Sequence, residues 1–235
     1  MKSKKELISL LREDVQAFNQ YRKETNYEDI DLSKADLSYA NLSGAYLSWA
    51  NLIDADLSYA NLSGAYLSYA NLIDADLSYA NLIDADLFKA DLYRANLWSS
   101  NLTGANLTKA DLIDVYLTRA NLSNANLIYA DLYRANLTDA NLTKVDLAYA
   151  DLYGANFDGA RLTGADLRWA ELYRANLTDT DLIEANFIDA DLTRANLTGA
   201  NLKGANLSNA NLDKACLDGS NLDGAKFCSD NDGGE

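Results

Sequence analysis

The chain has 235 residues, with 35 acidic and 20 basic side chains, and it contains neither histidine nor proline. Without histidine the commonest proton shuttle at neutral pH is missing, which argues against an enzyme. The lack of proline favours a fold in which backbone N–H groups pair throughout. No apolar run approaches the ~18 residues of a membrane span, and the N-terminus has no signal-peptide core. We therefore expect a cytoplasmic protein without membrane contact.

Residues 1–25 have the pattern of an amphipathic helix. Ser3 and Glu6 have capping-box spacing. The apolar residues that follow at helical intervals are Leu7, Leu11, Val15 and Phe18, with Ile8, Leu10 and Tyr21 beside them. We predict one helix of roughly five turns. Its role would be to cover the N-terminal end of the next segment, because open β-edges invite self-association.

From about Ile30 to Phe227 the chain repeats every five residues without insertion. Of the forty central positions that begin at Leu32, thirty-seven are Leu and three are Phe, and the slot two residues earlier is nearly always Ala. Leucines five apart would cover every side of a helix and alternate between the sides of a flat strand. A corner at every pentapeptide instead directs each Leu to one axis. Four corners close a coil, which predicts ten coils of twenty residues.

The run A-(D/N)-L-x-x resembles the signature of the pentapeptide-repeat family and covers about 200 of the 235 residues. This resemblance implies an all-β fold, a right-handed quadrilateral β-helix. The expected organisation is an N-terminal helical cap at 1–25, a β-helix at 26–229 and a polar tail at 230–235.

The coil has four faces, whose central positions begin at Leu32, Leu37, Leu42 and Leu47. Apolar and aromatic side chains recur at twenty-residue spacing on the first and fourth faces. On the first face they are Ile53, Ile73, Tyr93, Ile113, Tyr133, Tyr153 and Tyr173, and on the fourth Trp49, Tyr69, Tyr129, Tyr149 and Trp169. Such stripes, rimmed by charge, predict a protein interaction surface. The alternative is that the stacked rings only stabilise the sheet.

The third face differs from the others in its last slot, which is Gly in many coils, including Gly44, Gly64 and Gly104. Because type II turns need a positive φ at their second central residue, we predict that these turns cluster on the third face. The slot before Leu on this face holds Asn from Asn41 to Asn141, which predicts a ladder of amide hydrogen bonds along the axis.

The sequence offers no catalytic, cofactor-binding or metal-binding residues. An interior of Leu and Ala leaves no cleft for a substrate. The carboxylates at Asp91, Asp111, Asp131, Asp151, Glu171 and Asp191 are expected to be solvated and partly paired with the neighbouring arginines, rather than to bind Ca²⁺. Cys216 and Cys228 are interpreted as free thiols of a reducing compartment.

Two functions compete. The first is a non-enzymatic scaffold that binds an unknown protein through its outer faces. The second is suggested by the family, since several pentapeptide-repeat proteins mimic B-form DNA and bind DNA gyrase or topoisomerase IV. Against it, residues 28–91 carry a net charge of −9 but residues 92–180 only −2, whereas DNA is uniformly charged. Neither function involves direct binding of nucleic acid. A homodimer through the C-terminal coil is a further expectation.

Overall fold

The computed structural model describes residues 2–227. It begins with two helices, α1 (Lys4–Glu13) and α2 (Val15–Glu24), so the prediction of a single helix is wrong. Asp14 separates them, with φ −153° and ψ 92°, and its side chain accepts a hydrogen bond from the Ala17 N–H at 3.0 Å. An Asp side chain that bonds a nearby N–H in this way starts a new helix. The capping box of Ser3 and Glu6 is confirmed.

The rest of the described chain is a stack of four-sided coils. Parallel β-bridges join residues twenty apart, from Asp31 and Asn51 at one end to Asn206 and Lys226 at the other. One residue of each pentapeptide forms such a bridge, so each side of the coil is a single bridge position rather than an extended strand. The predicted twenty-residue coil is confirmed by this register.

Backbone hydrogen bonds join each coil to the next. The N–H of Leu32 donates to the carbonyl of Asn51 (2.8 Å), and that of Lys34 donates to the carbonyl of Ile53 (2.8 Å). In the opposite direction, the N–H of Asn51 donates to the carbonyl of Ile30 (2.9 Å). Three of the five N–H groups of a pentapeptide are thereby bonded between coils.

The other two N–H groups are bonded inside the pentapeptide. That of Ala35 donates to the carbonyl of Leu32 across the turn (3.0 Å), and that of Ser33 donates to Oδ1 of Asp31 (2.9 Å). The second bond requires a side-chain carbonyl or carboxylate oxygen two residues before the donor, which Asp and Asn supply. This explains why Asp or Asn precedes the central Leu in most repeats.

Positive φ angles occur in every turn from residue 34 to residue 224, on all four faces, so the prediction that type II turns cluster on the third face is wrong. The second central residue has φ between 51° and 70°, and at most positions it is not glycine. Each non-glycine residue there costs on the order of 1–3 kcal/mol, which the bond from its N–H to the next coil offsets. At Gly104 an added Cβ would lie 2.3 Å from Oδ1 of Asp84, which is the end of a side chain that can rotate away, so this contact alone does not require glycine.

The interior is a single apolar core. The central Leu side chains and the Ala residues between them are almost fully buried from Leu32 to Leu207, and Phe157 and Phe187 fit without exposure. Alternation of a large and a small side chain fills the narrow interior at close packing. Thr180, which replaces an Ala, is buried and donates its hydroxyl to the carbonyl of Phe157 (3.0 Å).

The helix pair lies against the first coil, residues 31–50. Leu7, Leu11 and Phe18 are buried and belong to the same apolar core as the coil interior. The first coil has no preceding coil to donate to its outward carbonyls, and helix side chains donate instead. These donors are Lys4 to Ser33, Arg12 to Asp36 and Ser38, and Arg22 to Tyr46 and Ser48. Asn19 also bonds the first coil, by donating to the Gly44 carbonyl.

Arg22 makes the most of these contacts. Its side chain is fully buried and donates to the carbonyls of Tyr46 (3.1 Å), Ser48 (2.8 Å) and Glu28. Burial lowers the pKa of the guanidinium from its ordinary value, yet carbonyl oxygens rather than a carboxylate satisfy it. Arg22 thus supplies to the Tyr46 and Ser48 carbonyls the two hydrogen bonds that backbone N–H groups of a preceding coil would supply.

The Arg22→Met variant should lose about 2–4 kcal/mol of unfolding free energy, because the Tyr46 and Ser48 carbonyls would stay buried without donors. Urea denaturation followed by circular dichroism measures the loss. Arg12→Met is the matched control: the Arg12 side chain is 40% exposed, water can replace it, and we expect a loss below about 1 kcal/mol. Equal losses in the two variants would contradict this role of Arg22.

Candidate interaction faces

The structure places the seven predicted residues of the first face in one column that runs along the stack. Residues of this column lie on successive coils, one after each central Leu. Its C-terminal part is a tyrosine ladder: Tyr133 and Tyr153 have ring centroids 5.1 Å apart, and Tyr153 and Tyr173 5.2 Å apart, with interplanar angles of 20° and 25°. Tyr133 is 36% exposed, and the other six residues are half-buried.

The carboxylates before each Leu hold this column in position. Oδ1 of Asp131 accepts the Tyr133 N–H at 3.0 Å, and Oδ1 of Asp151 accepts the Tyr153 N–H at 2.9 Å. These carboxylates also repel one another along the axis. The pKa of Asp131 is raised by burial, against the hydrogen bond from the Tyr133 N–H, and further by the neighbouring carboxylates of Asp151 and Asp111.

The arginines of the first face do not pair with this carboxylate column, so that prediction is wrong. Arg94 pairs with Asp74 (3.1 Å) and Arg134 with Asp114 (3.4 Å), and all four residues occupy the turn column beside the tyrosines. Side chains of the same column lie directly above one another on adjacent coils, which explains the choice of partner. Within residues 2–227 no ion pair joins an arginine of the first face to the column from Asp91 to Asp191.

On the fourth face the structure brings the predicted residues together in two groups rather than one stripe. The stacked pairs are Trp49–Tyr69 (centroids 4.1 Å apart), Tyr129–Tyr149 (4.8 Å) and Tyr149–Trp169 (4.9 Å), with interplanar angles of 3°, 17° and 4°. Four of the five residues are exposed, and Tyr69 is half-buried.

Two lysines separate these groups, because positions 89 and 109 belong to the same column. The ammonium of Lys89 lies 5.4 Å from the Tyr69 ring centroid, and that of Lys109 lies 5.7 Å from the Tyr129 centroid. Each lysine therefore makes a cation–π contact with the end ring of a ladder.

A further ladder on the second face was missed by the sequence reasoning. Tyr39 and Tyr59 stack with centroids 4.8 Å apart, and Tyr59 and Tyr79 with centroids 4.6 Å apart. Tyr39 is 72% exposed. The twenty-residue spacing of these tyrosines is sufficient to predict the ladder. The ladder is short, because the same column has Ser, Arg and Asp in the three coils after Tyr79.

The predicted amide ladder of the third face is confirmed at several steps. Asn61 donates to Asn41 and Asn81 to Asn61, both at 3.1 Å, and Asn141 donates to Asn121 at 3.0 Å. These bonds lie on the outer surface along the axis, and they add side-chain pairing to the backbone bonds between coils.

Metal-binding and membrane-spanning features are absent from the part of the chain that the structure describes. No group of three acidic or cysteine side chains there is arranged to hold a metal ion. Neither described helix is long and apolar enough to cross a bilayer. Cys216 is a free thiol, with its sulfur 3.3 Å from the Thr198 hydroxyl, whereas Cys228 and the predicted tail at 230–235 lie outside the described residues.

Comparison with known families agrees with this geometry. A model of the family described as "Pentapeptide repeats" matches the chain continuously over residues 30–227. The chain belongs to the pentapeptide-repeat family. Members with known structures form right-handed quadrilateral β-helices, so the sequence-based expectation of this fold is confirmed.

Solved pentapeptide-repeat structures resemble the chain to different degrees. HetL, described as involved in heterocyst differentiation regulation in the cyanobacterium Nostoc sp. strain PCC 7120, is 37% identical, covers 88% of this chain and 94% of its own, and superposes with a TM-score of 0.51. Rfr23 from the cyanobacterium Cyanothece 51142 is 27% identical over 54% of this chain and 90% of its own, with a TM-score of 0.33.

A trypsin-treated form of QnrB1, described as a plasmid-mediated fluoroquinolone resistance protein, is 21% identical over 67% of this chain and 89% of its own, with a TM-score of 0.32. Among curated proteins no match was found.

The Asp131→Asn variant should be more stable than the parent at pH 7, by about 0.5 kcal/mol, because it removes a charge that is partly buried and that also lies between the like charges of Asp111 and Asp151. The folded protein holds the Asp131 proton more tightly than the unfolded chain, so ionisation of Asp131 costs stability as pH rises above its ordinary pKa of 3.8. The gain should therefore fade as pH falls below that range. Thermal melts between pH 3 and pH 7, estimated to span both sides of the carboxyl titration, measure it.

Asp36→Asn is the matched control with the opposite sign. Hydrogen bonds from the Ser38 hydroxyl and N–H, the first of them the larger cause, lower the pKa of Asp36. Its ionised form favours folding above its ordinary pKa, and this contribution is lost on acidification. The Asp36→Asn variant should lose stability at pH 7. A shift of the same sign in both variants would contradict the assignment.

Proposed function

We propose that this pentapeptide-repeat protein is a non-enzymatic scaffold that binds a protein partner through its first and fourth faces. The observation that carries the proposal is the tyrosine ladder of Tyr133, Tyr153 and Tyr173, with Arg174 placed over the last ring at 5.3 Å. Tyrosine and arginine are enriched among residues that dominate binding energy at protein interfaces. A regulatory role, as described for HetL, is compatible with such a surface.

The first face is better suited to binding than the fourth. Its column is unbroken from Ile53 to Tyr173, whereas Lys89 and Lys109 divide the fourth face. A continuous, half-buried apolar column flanked by charged side chains resembles the core and rim of a protein interface. We propose that the fourth-face groups contribute secondary contacts.

Mimicry of DNA, with gyrase or topoisomerase IV as target, is the weaker alternative. The acidic side chains are concentrated in residues 28–91, where the net charge is −9, while residues 92–180 carry only −2. In that second segment several basic side chains lie on the outer turns, such as Arg119, Arg134 and Lys144. A surface with a nearly neutral middle does not reproduce the even charge of a duplex.

The organisation of the chain is part of the proposal. We propose ten coils, with α1 and α2 as the N-terminal cap, because the helix pair supplies both apolar cover and hydrogen-bond donors to the first coil. We also propose a cytoplasmic location, which suits the free thiol of Cys216.

A homodimer through the C-terminal coil completes the proposal. Leu212, Leu217 and Leu222 are half-buried, and Phe227 is 46% exposed, whereas interior leucines are fully buried. A second copy placed end to end would cover these leucines and pair the exposed edge.

The scaffold proposal predicts that a Tyr133, Tyr153 and Tyr173→Ser triple variant loses its protein partners in an affinity pull-down from the native host, by at least about tenfold, since aromatic anchors dominate interface energy. The matched control replaces Tyr39, Tyr59 and Tyr79 with Ser on the second face. It removes an equal ladder and should retain the partners. Melting curves verify that both variants are folded. If both variants retain the protein partners equally, the scaffold proposal is wrong.

A gyrase supercoiling assay with the parent protein separates the two functions. The scaffold proposal expects no inhibition at micromolar protein. Inhibition that survives the first-face triple variant would favour mimicry by the acidic surface and would contradict the scaffold assignment.

The dimer proposal predicts a dimer in sedimentation equilibrium, which Leu217→Lys should convert to a monomer, because a charge buried at the interface without a partner is costly. A control substitution, Thr118→Lys, lies on the same face away from the end coil. A monomeric parent at high concentration would end this proposal.

A further inference from the structure

Three tyrosines next to the helix pair form a cluster unlike the ladders. Tyr27 and Tyr46 have ring centroids 6.0 Å apart with an interplanar angle of 44°, and Tyr46 and Tyr66 have centroids 5.1 Å apart at 82°. With Ser48 they line a cavity of about 240 Å³. We call these three residues the tyrosine cage.

The ring orientation decides what this cluster can bind. In the stacked ladders the rings lie within 25° of parallel, as for Tyr133, Tyr153 and Tyr173, so each interior ring has its faces covered by its neighbours. In the tyrosine cage the planes differ by 44° and 82°, so these rings are not stacked in parallel, and all three line one cavity. The face of an aromatic ring carries the negative lobe of its quadrupole and attracts cations.

The chain already places an ammonium at another perpendicular aromatic pair. Tyr69 and Phe88 meet at 80°, and Nζ of Lys89 lies 5.4 Å from the first centroid and 5.5 Å from the second. At the tyrosine cage, Nζ of Lys23 lies 5.4 Å from the Tyr46 centroid. The guanidinium of Arg22 lies 5.9 Å from the Tyr27 centroid. Cationic groups are therefore what this protein's own side chains present to such rings.

The coils that follow the tyrosine cage are acidic and favour a cation from outside, whereas Arg22 and Lys23 place two positive charges at the rings themselves. The coils that follow, residues 28–91, carry eleven acidic and two basic side chains. Asp86 is the β-bridge partner of Tyr66 on the next coil, so a carboxylate continues the cage column. Tyr27 and Tyr66 are 43% and 48% exposed, which leaves the cage accessible.

The cavity volume limits the size of the ligand. At about 240 Å³ the cavity is below the roughly 300–1,000 Å³ of pockets that take drug-sized molecules. It suits a single small group. Because a methylated ammonium is both cationic and weakly hydrated, it loses less on leaving water than a bare ammonium, and aromatic cages recognise it.

We propose that Tyr27, Tyr46 and Tyr66 form a binding site for an alkylated ammonium group, with Lys23 as an internal competitor. The group is either a small quaternary amine or a methylated lysine side chain of a peptide. In both cases the ring faces bind the charged methyl groups, and the ligand displaces the Lys23 ammonium from Tyr46.

The test is a titration of the full chain with tetramethylammonium chloride at constant ionic strength, followed by tyrosine NMR signals. Neopentyl alcohol, of similar shape but neutral, is the comparison ligand. We expect a Kd on the order of millimolar for tetramethylammonium and at least about fivefold weaker binding of the alcohol. Equal binding of both ligands would show an apolar hollow without cation selectivity and overturn the proposal.

Three variants locate the site. Tyr66→Leu should weaken tetramethylammonium binding about five- to tenfold. Tyr116→Leu, which removes an equally exposed tyrosine outside the cage, should leave binding unchanged. Lys23→Ala should strengthen binding, because the competitor is gone. Absence of binding to both the parent and the Lys23→Ala protein, with melting curves showing both folded, would overturn the proposal, as would unchanged binding in the Tyr66→Leu protein.

The source of the ammonium is distinguished by two further ligands. Choline stands for the small amines, and a short peptide with one trimethyllysine stands for proteins. At least tenfold tighter binding of the peptide than of choline, lost with the unmethylated peptide, assigns a protein ligand. Equal affinity for choline and the methylated peptide assigns a small amine to the tyrosine cage.

Discussion

The stack of coils depends on backbone hydrogen bonds between residues about twenty apart. They require each pentapeptide to present its N–H and carbonyl groups along the axis, and therefore to turn a corner with a positive φ after the central Leu. The bond of the Lys34 N–H to Ile53 shows how the register holds a non-glycine residue in that conformation. The N–H left over in the corner, that of Ser33, needs Asp31 or its equivalent. The main role of the consensus Asp or Asn is thus to accept this hydrogen bond, and the surface charge of Asp is secondary.

At each end of such a stack, one row of backbone groups has no adjacent coil to bond with. At the first coil, side chains of the helix pair form hydrogen bonds with that row. Arg12 and Arg22 each donate to two carbonyls that, in any later coil, would accept a backbone N–H. The planar guanidinium suits this task because its donors project in a fixed fork, and one side chain can span two acceptors. Arg22 can be buried without a carboxylate partner because its neighbours are backbone carbonyls that accept its hydrogen bonds.

The sequence was sufficient for the coil and its core because one physical requirement, Leu and Ala alternating in a narrow interior, is written at every repeat. The sequence was less informative where a side-chain hydrogen bond changed the backbone within an otherwise regular apolar pattern. The apolar spacing from Leu7 to Phe18 runs through Asp14, whose side chain bonds the Ala17 N–H and divides the helix. Glycine occupies only some of the turns, whereas every turn has a positive φ, so the glycine pattern did not show which turns adopt this conformation. On the outer surface, Arg94 pairs with Asp74 of its own column on the adjacent coil rather than with the neighbouring carboxylate column.

The outer columns differ in what they leave available to another molecule. In a ladder such as Tyr133, Tyr153 and Tyr173 the rings stack on one another, so a partner meets mainly ring edges and hydroxyl groups. Such a surface favours broad contact with a protein, where edges and hydroxyls pack and form hydrogen bonds. The rings of Tyr46 and Tyr66 meet at 82° and do not stack in parallel, and an aromatic face that is not covered attracts cations. Under the two proposals, one repeated backbone would serve two modes of recognition, and the angle between rings on neighbouring coils would distinguish them.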